Sequence, residues 1–229
     1  MFEAVFLFMV VLVAAFVALA VVVGVSAGKR RKAFLQKRWY DASRHGWHPV
    51  PPNPWLAEVV AKLYQRGRAG EMIAGDFRGR GMCALDYSYT TSSTGANGQT
   101  TSTTHHVHAV ALNLPVALPP LTLTKDSGAK RFLAGRDLEL ESHAFNERFR
   151  IGCADDRYAS AVLHPRMMEW MLYNPGLEWQ FAGNALVSWG TGPYLIPDVV
   201  ARLEAMSRLI ELIPPFVLRD YGRPAYWPA

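Results

Sequence analysis

Three histidines stand almost side by side at His105, His106 and His108, the densest imidazole cluster in the chain. Strand residues two apart point the same way, so His106 and His108 would share one face, a spacing used in some zinc sites. A metal needs a third or fourth ligand, and His143 and His164 lie far along the chain. No Cys-x-x-Cys or His-Glu-x-x-His accompanies the cluster. The competing explanation is the polar start of a strand leaving a Ser/Thr-rich stretch, which needs no ligand at all. No cofactor is expected, and His106 and His108 are the metal candidates the sequence offers.

Asp155, Asp156 and His164 could serve acid–base chemistry if a fold brought them into one pocket. Helix capping accounts for the same residues: the aspartates precede a helix, and His164 stands before a helix-opening Pro165. The glycine run Gly75–Gly81 lacks both Gly-x-Gly-x-x-Gly and Gly-Lys-Ser/Thr, so a tight turn between strands is expected there rather than a phosphate cradle. No serine lies in a nucleophile-elbow pattern, and neither Cys83 nor Cys153 has a neighbouring histidine in sequence. In a reducing compartment both are expected as free thiols in apolar settings.

The elements that would carry these residues read as helix, several antiparallel strands, helix, hairpin and helix. Asn53-Pro54 is an N-cap followed by proline at the first helical position, and Leu56, Val59, Val60 and Leu63 recur at helical spacing over about 54–67. Residues 72–90 hold two short strands, and the Ser/Thr/Gly-rich stretch 90–104 reads as an exposed loop before the partner strand 107–114, whose Val110, Leu112 and Leu114 alternate toward one face. Further strands are expected at 121–124, at 137–141 and around Phe149, Ile151 and Cys153. Helices follow from Arg157 and over 165–173. A hairpin turns at Gly183-Asn184, and a last helix opens at Pro197-Asp198 and stops at Pro214-Pro215. Strands grouped together with helices apart imply an α+β fold: an antiparallel sheet with three to four helices.

The segment Asp137–Tyr173 carries an alternating acidic strand, Phe145-Asn-Glu-Arg-Phe149, an Asp-Asp pair and Val162-Leu-His-Pro-Arg-Met-Met-Glu-Trp-Met171. That order resembles a family of bacterial, mainly actinobacterial, membrane-anchored proteins of unknown function. The resemblance covers about 100 residues of the domain. It implies the fold class and a membrane-anchored architecture, and no catalytic residue.

The ends of the chain differ sharply in character. Ala4 to Val25 contains no polar or charged side chain. As a helix this run would be about 33 Å long, enough for a hydrocarbon core of roughly 30 Å. The residues after it are basic: Lys29, Arg30, Arg31, Lys32, Lys37, Arg38 and Arg44, with Trp39 among them, whereas Glu3 is the one charged side chain before it. Positive flanks stay on the cytoplasmic side, so the expected arrangement is single-pass in the cell membrane, N-terminus outside and C-terminal domain cytoplasmic. No basic residue precedes the apolar run and it exceeds a signal-peptide core in length, which argues against cleavage. Net charge is +5 overall, yet residues 45–229 carry 17 basic and 17 acidic groups. The basic character belongs to the flank and suits anionic lipid headgroups. It does not mark a nucleic-acid-binding domain.

The expected organisation is a transmembrane helix over 1–28, a basic juxtamembrane helix over 29–44, a proline-rich spacer over 45–53 and the α+β domain over 54–229. Within the span Ala20, Gly24 and Gly28 share one face, the small-residue spacing that lets helices touch in a membrane, so a homo-oligomer is one expected partnership. The functional expectation is a non-enzymatic interaction module bound to a membrane-protein partner, as an accessory subunit of a larger complex. The alternative is a membrane-bound, metal-dependent enzyme whose site assembles from His105, His106, His108 and acidic residues such as Asp76, Asp155 and Asp156.

Overall fold

The computed structural model describes residues 16, 25, 26, 28–95, 97–125, 136–137 and 140–224. Two units divide the chain, Met1–His45 and Gly46–Ala229. In the first, residues 28–43 form helix α1, which runs through the basic flank. Among the described residues no helix is long and apolar enough to cross a membrane. The expected span over 4–25 lies outside them, except for Phe16 and Val25, which are helical and exposed.

The second unit is an α+β domain built on a nine-stranded antiparallel sheet of order β1-β2-β3-β4-β9-β8-β5-β7-β6. The strands are β1 (His48–Val50), β2 (Arg68–Phe77), β3 (Arg80–Thr94), β4 (Thr100–Asn113), β5 (Leu121–Lys125), β6 (Arg136–Asp137), β7 (Phe149–Cys153), β8 (Trp179–Ala182) and β9 (Ala185–Thr191). Among the described residues six helical segments accompany them, two more than the upper expectation: α2 (Pro54–Leu63), α3 (His143–Asn146), α4 (Asp156–Val162), α5 (Pro165–Tyr173), α6 (Ile196–Leu212) and α7 (Pro215–Asp220). The expected proline stop after α6 is also a start. Pro214 caps α7 and Pro215 occupies its first turn, where a missing N–H costs nothing.

Side-chain alternation gives the sheet two faces. One presents Cys83, Leu85, Val107, Ala109, Ala111 and Val187 to Leu56, Val59 and Val60 of α2. Cross-strand pairing puts Val110, Ser188, Trp179 and Leu123 together on the other, which α6 also contacts through β4 and β9. Val107 to Leu112 are all buried. β4 is therefore a central strand covered on both sides, where the sequence reading had one apolar face at Val110 and Leu112.

Local chemistry explains the turns. At β2–β3 Arg78 and Gly79 have φ of 55° and 78°, the positive pair that a two-residue hairpin demands. The Gly79 N–H donates to Asp76 Oδ1 at 2.8 Å. The glycine run is thus a hairpin turn, as expected, but the strands beside it are long. α2 starts where expected, with Asn53 Oδ1 accepting from Trp55 N at 2.9 Å, and it stops at Leu63 rather than near Gly67.

The stretch 90–104 is corrected from loop to strand. β3 and β4 continue past the body of the sheet as a two-stranded ribbon paired out to Thr94↔Thr100. Threonine favours strands, and cross-strand hydroxyls pair at Thr90–Thr104, Ser92–Ser102 and Thr94–Thr100 at 3.2, 3.0 and 3.2 Å. Composition alone hides this, because Ser and Thr are common in loops as well as in exposed ribbons. Residues 91–95 and 100–104 are exposed. Replacing residues 92–102 with Asn-Gly, which joins the opposed Thr91 and Thr103, should change unfolding free energy by less than about 1 kcal/mol. Chemical denaturation of the shortened and full chains checks this.

Candidate functional site: a notch in the sheet

β8 starts late. Its first residue, Trp179, sits opposite Ser188, while β9 runs on to Thr191. Trp189, Gly190 and Thr191 pair with β4 on one side and have no strand on the other among the described residues. The gap is a pocket of about 800 Å³ whose lining includes Tyr64, His108, Lys125, Glu178, Asp198 and Arg202. It combines a buried histidine, a part-buried arginine and two carboxylates. Two other pockets are plainer: a charged surface one around Glu147, Arg148 and Glu169, and an apolar one beside Pro51, Trp55 and Met82.

α6 supplies the arginine. Val199, Leu203, Met206 and Ile210 bury one stripe of that helix, which places Arg202 beside the free edge of β9. Its Nη1 donates to Ser188 Oγ at 2.7 Å and to the Trp189 carbonyl at 2.9 Å. Ser188 Oγ in turn donates to the Glu178 carbonyl at 2.6 Å. A guanidinium and a hydroxyl thus take over where a longer β8 would have continued the ladder. Burial lowers the Arg202 pKa, and Asp198, Glu178 and Tyr64 oppose that shift.

His108 enters from β4, directly across from Gly190. Its Nδ1 lies 3.0 Å from the Gly192 carbonyl, a geometry that requires Nδ1–H as donor and leaves Nε2 as an acceptor. Burial lowers the His108 pKa, the Gly192 contact opposes this, Arg202 adds to the lowering, and Asp86 and Asp198 oppose it. Asp86 is the cross-strand neighbour of His108, and its Oδ1 accepts from Tyr194 N at 3.0 Å.

A histidine with a lowered folded-state pKa binds fewer protons folded than unfolded, so stability falls as pH drops. The contribution of His108 is complete above the unfolded value of about 6.5 and declines below it. Melting temperatures at pH 8 and pH 5.5 should therefore differ less in His108→Gln than in the parent. An equal difference in both would contradict this.

The other sequence candidates are dispersed. His105 lies on the opposite face of β4, stacked 4.9 Å from the Tyr89 ring, with Nε2 2.8 Å from Thr91 Oγ1. His106 is exposed, and its carbonyl accepts from Gly192 N at 2.8 Å. The side chain of His143 is exposed beside Glu147, and His164 Nε2 meets the Leu212 carbonyl at the end of α6 at 3.0 Å. Among the described residues no three His, Cys, Asp or Glu side chains form a group able to hold a metal ion. Asp155 Oδ1 caps α4 by accepting from Arg157 N and Tyr158 N, and Asp156 begins that helix. Both thiols are free and buried, with burial raising Cys83 to about 12.

In α1, Lys29, Arg30, Arg31, Lys32 and Lys37 are exposed, and Trp39 is 37 % exposed. Arg38, expected with them at the membrane interface, is instead buried, its guanidinium 5.3 Å over the Phe34 ring. Gly28 is exposed with open space where a Cβ would stand, while Ala20 and Gly24 lie outside the described residues. Sequence reasoning found His108 but missed Arg202, Glu178 and Tyr64. Their one sequence signal is an arginine on the apolar side of α6, one residue from Leu203, which needs the strand register before it means anything.

No protein-family profile matches the sequence, and no curated protein does. A solved structure is similar in fold: the mycobacterial trehalose monomycolate transport factor A, TtfA. It aligns with a TM-score of 0.55 and 13 % identity over 84 % of this chain and 97 % of TtfA. At that identity the likeness shows a shared fold.

Proposed function

We propose that this chain is a membrane-anchored, non-enzymatic accessory factor of a transport assembly. Residues 4–25 tether it, Lys29–Lys32 and Lys37 meet anionic headgroups, and the domain works on the cytoplasmic face against a membrane-protein partner. The observation that carries the proposal is the fold shared with TtfA, a transport factor by name. The bonding of the histidines supports it. His105 bonds Thr91 Oγ1, His164 the Leu212 carbonyl and His108 the Gly192 carbonyl, so each is tied to its own fold. The face bearing Ala20, Gly24 and Gly28 gives the tether a route to self-association.

Full-length protein purified from native membranes in mild detergent tests the proposal. One integral membrane protein is expected at a constant ratio, lost when residues 1–28 are replaced by an unrelated anchor or when the domain is removed. Recovery of the full chain by itself from cross-linked membranes would contradict it.

A further inference from the structure

We propose that the notch between β9 and α6 binds a neutral polyol: a sugar, free or as the headgroup of a glycolipid. Four side chains present polar groups there that no other described residue engages. Arg202 keeps Nη2 after Nη1 is spent on Ser188 and Trp189, while its Nε is buried. His108 keeps Nε2 after Nδ1 is bonded to Gly192. The Asp198 carboxylate and the Tyr64 hydroxyl also line the pocket without a hydrogen bond.

Charge decides the ligand class. Arg202 and Lys125 supply two positive groups, and Glu178 and Asp198 two negative ones, around the same space. A phosphate or carboxylate would meet two carboxylates, and a cation would meet a guanidinium and an ammonium. Hydroxyls suit both signs, since each donates its one proton to Asp198 or to His108 Nε2 and can accept from Arg202 Nη2. Adjacent hydroxyls on one ring can engage the Arg202 donor and the Asp198 and His108 acceptors that line the same pocket. Leu177, Ala201 and Ala205 provide apolar surface for the C–H faces of such a ring. A volume of about 800 Å³ holds one or two sugar rings with water. The base is preset, because the His108 and Arg202 bonds fix both groups before any ligand arrives.

The inference rests on the pocket alone and stands or falls apart from the partner proposal. Its test uses the full chain in nanodiscs, free of glycosidic detergent, with maltose, inorganic phosphate and glucosyl-diacylglycerol as probes. Binding of maltose by calorimetry or saturation-transfer NMR is expected, weakened about tenfold or more in Asp198→Ala. It should also be lost in Ala201→Phe, which fills the exposed rim. Both sites are exposed, so melting temperatures should hold. Binding of the glycolipid without maltose identifies the headgroup as the source and supports the proposal, provided the same two variants abolish it. Binding of phosphate in place of sugar, sugar binding unchanged in both variants, or binding of no probe would overturn it.

Discussion

Trp179→Ala is expected to lower unfolding free energy by about 3–5 kcal/mol, the usual cost of emptying a buried tryptophan site. For a domain of this size that is a fall in melting temperature on the order of 10 °C. Trp179 is fully buried, its ring centroid 4.9 Å from that of Phe181. It faces Leu123 across one strand pair and Ser188 across the other. Truncation therefore opens a cavity where three strands meet, beneath the notch, with little freedom to collapse. Trp179→Phe should cost well under half as much. It keeps a ring in place and removes an indole N–H that is buried without a partner among the described residues, whose desolvation is itself worth about 1–3 kcal/mol. Thermal melts of the two variants distinguish cavity from polar cost, and equal losses would contradict the assignment.

Gly190→Ala is the second large effect. A Cβ there would stand 2.6 Å from His108 Cε1, 2.8 Å from His108 Nε2 and 2.9 Å from Arg202 Nη2. Neither neighbour gives way freely, because His108 is held by Gly192 and Arg202 by Ser188 and Trp189. A loss of about 1–3 kcal/mol follows from overpacking, together with a closed pocket. The double variant Gly190→Ala with His108→Ala vacates the clashing ring, so stability should partly return. An additive double variant would contradict the packing account.

Much of the frame was legible in the sequence because it is written in local chemistry. Asn53-Pro54, Asp155 and Pro165 mark helix starts that a cap and a fixed φ dictate within a few residues. Gly183-Asn184 does the same for the β8–β9 hairpin. What was not legible depends on pairing between distant strands. Thr90–Thr104 has the composition of a loop, and only the opposed hydroxyls of β3 and β4 make it a ribbon. The second buried face of β4 follows from what lies on each side of it, which alternation over 107–114 does not reveal. The site was half legible. His108 drew notice for a metal, whereas its neighbours Arg202, Glu178 and Tyr64 are 94, 70 and 44 residues away in the sequence. Nothing local in the chain announces that β8 is too short.

The central proposal is a domain held at the inner face of a membrane by residues 4–25. Cys83 and Cys153 are buried, so single engineered cysteines report without background. Phe2→Cys and Ser92→Cys chains are treated with a membrane-impermeant maleimide in intact spheroplasts and again after permeabilisation. Labelling of Phe2→Cys in intact cells, with Ser92→Cys reacting only after permeabilisation, is the predicted result. Labelling of Ser92→Cys in intact cells, or release of the chain from membranes by alkaline carbonate, would contradict it.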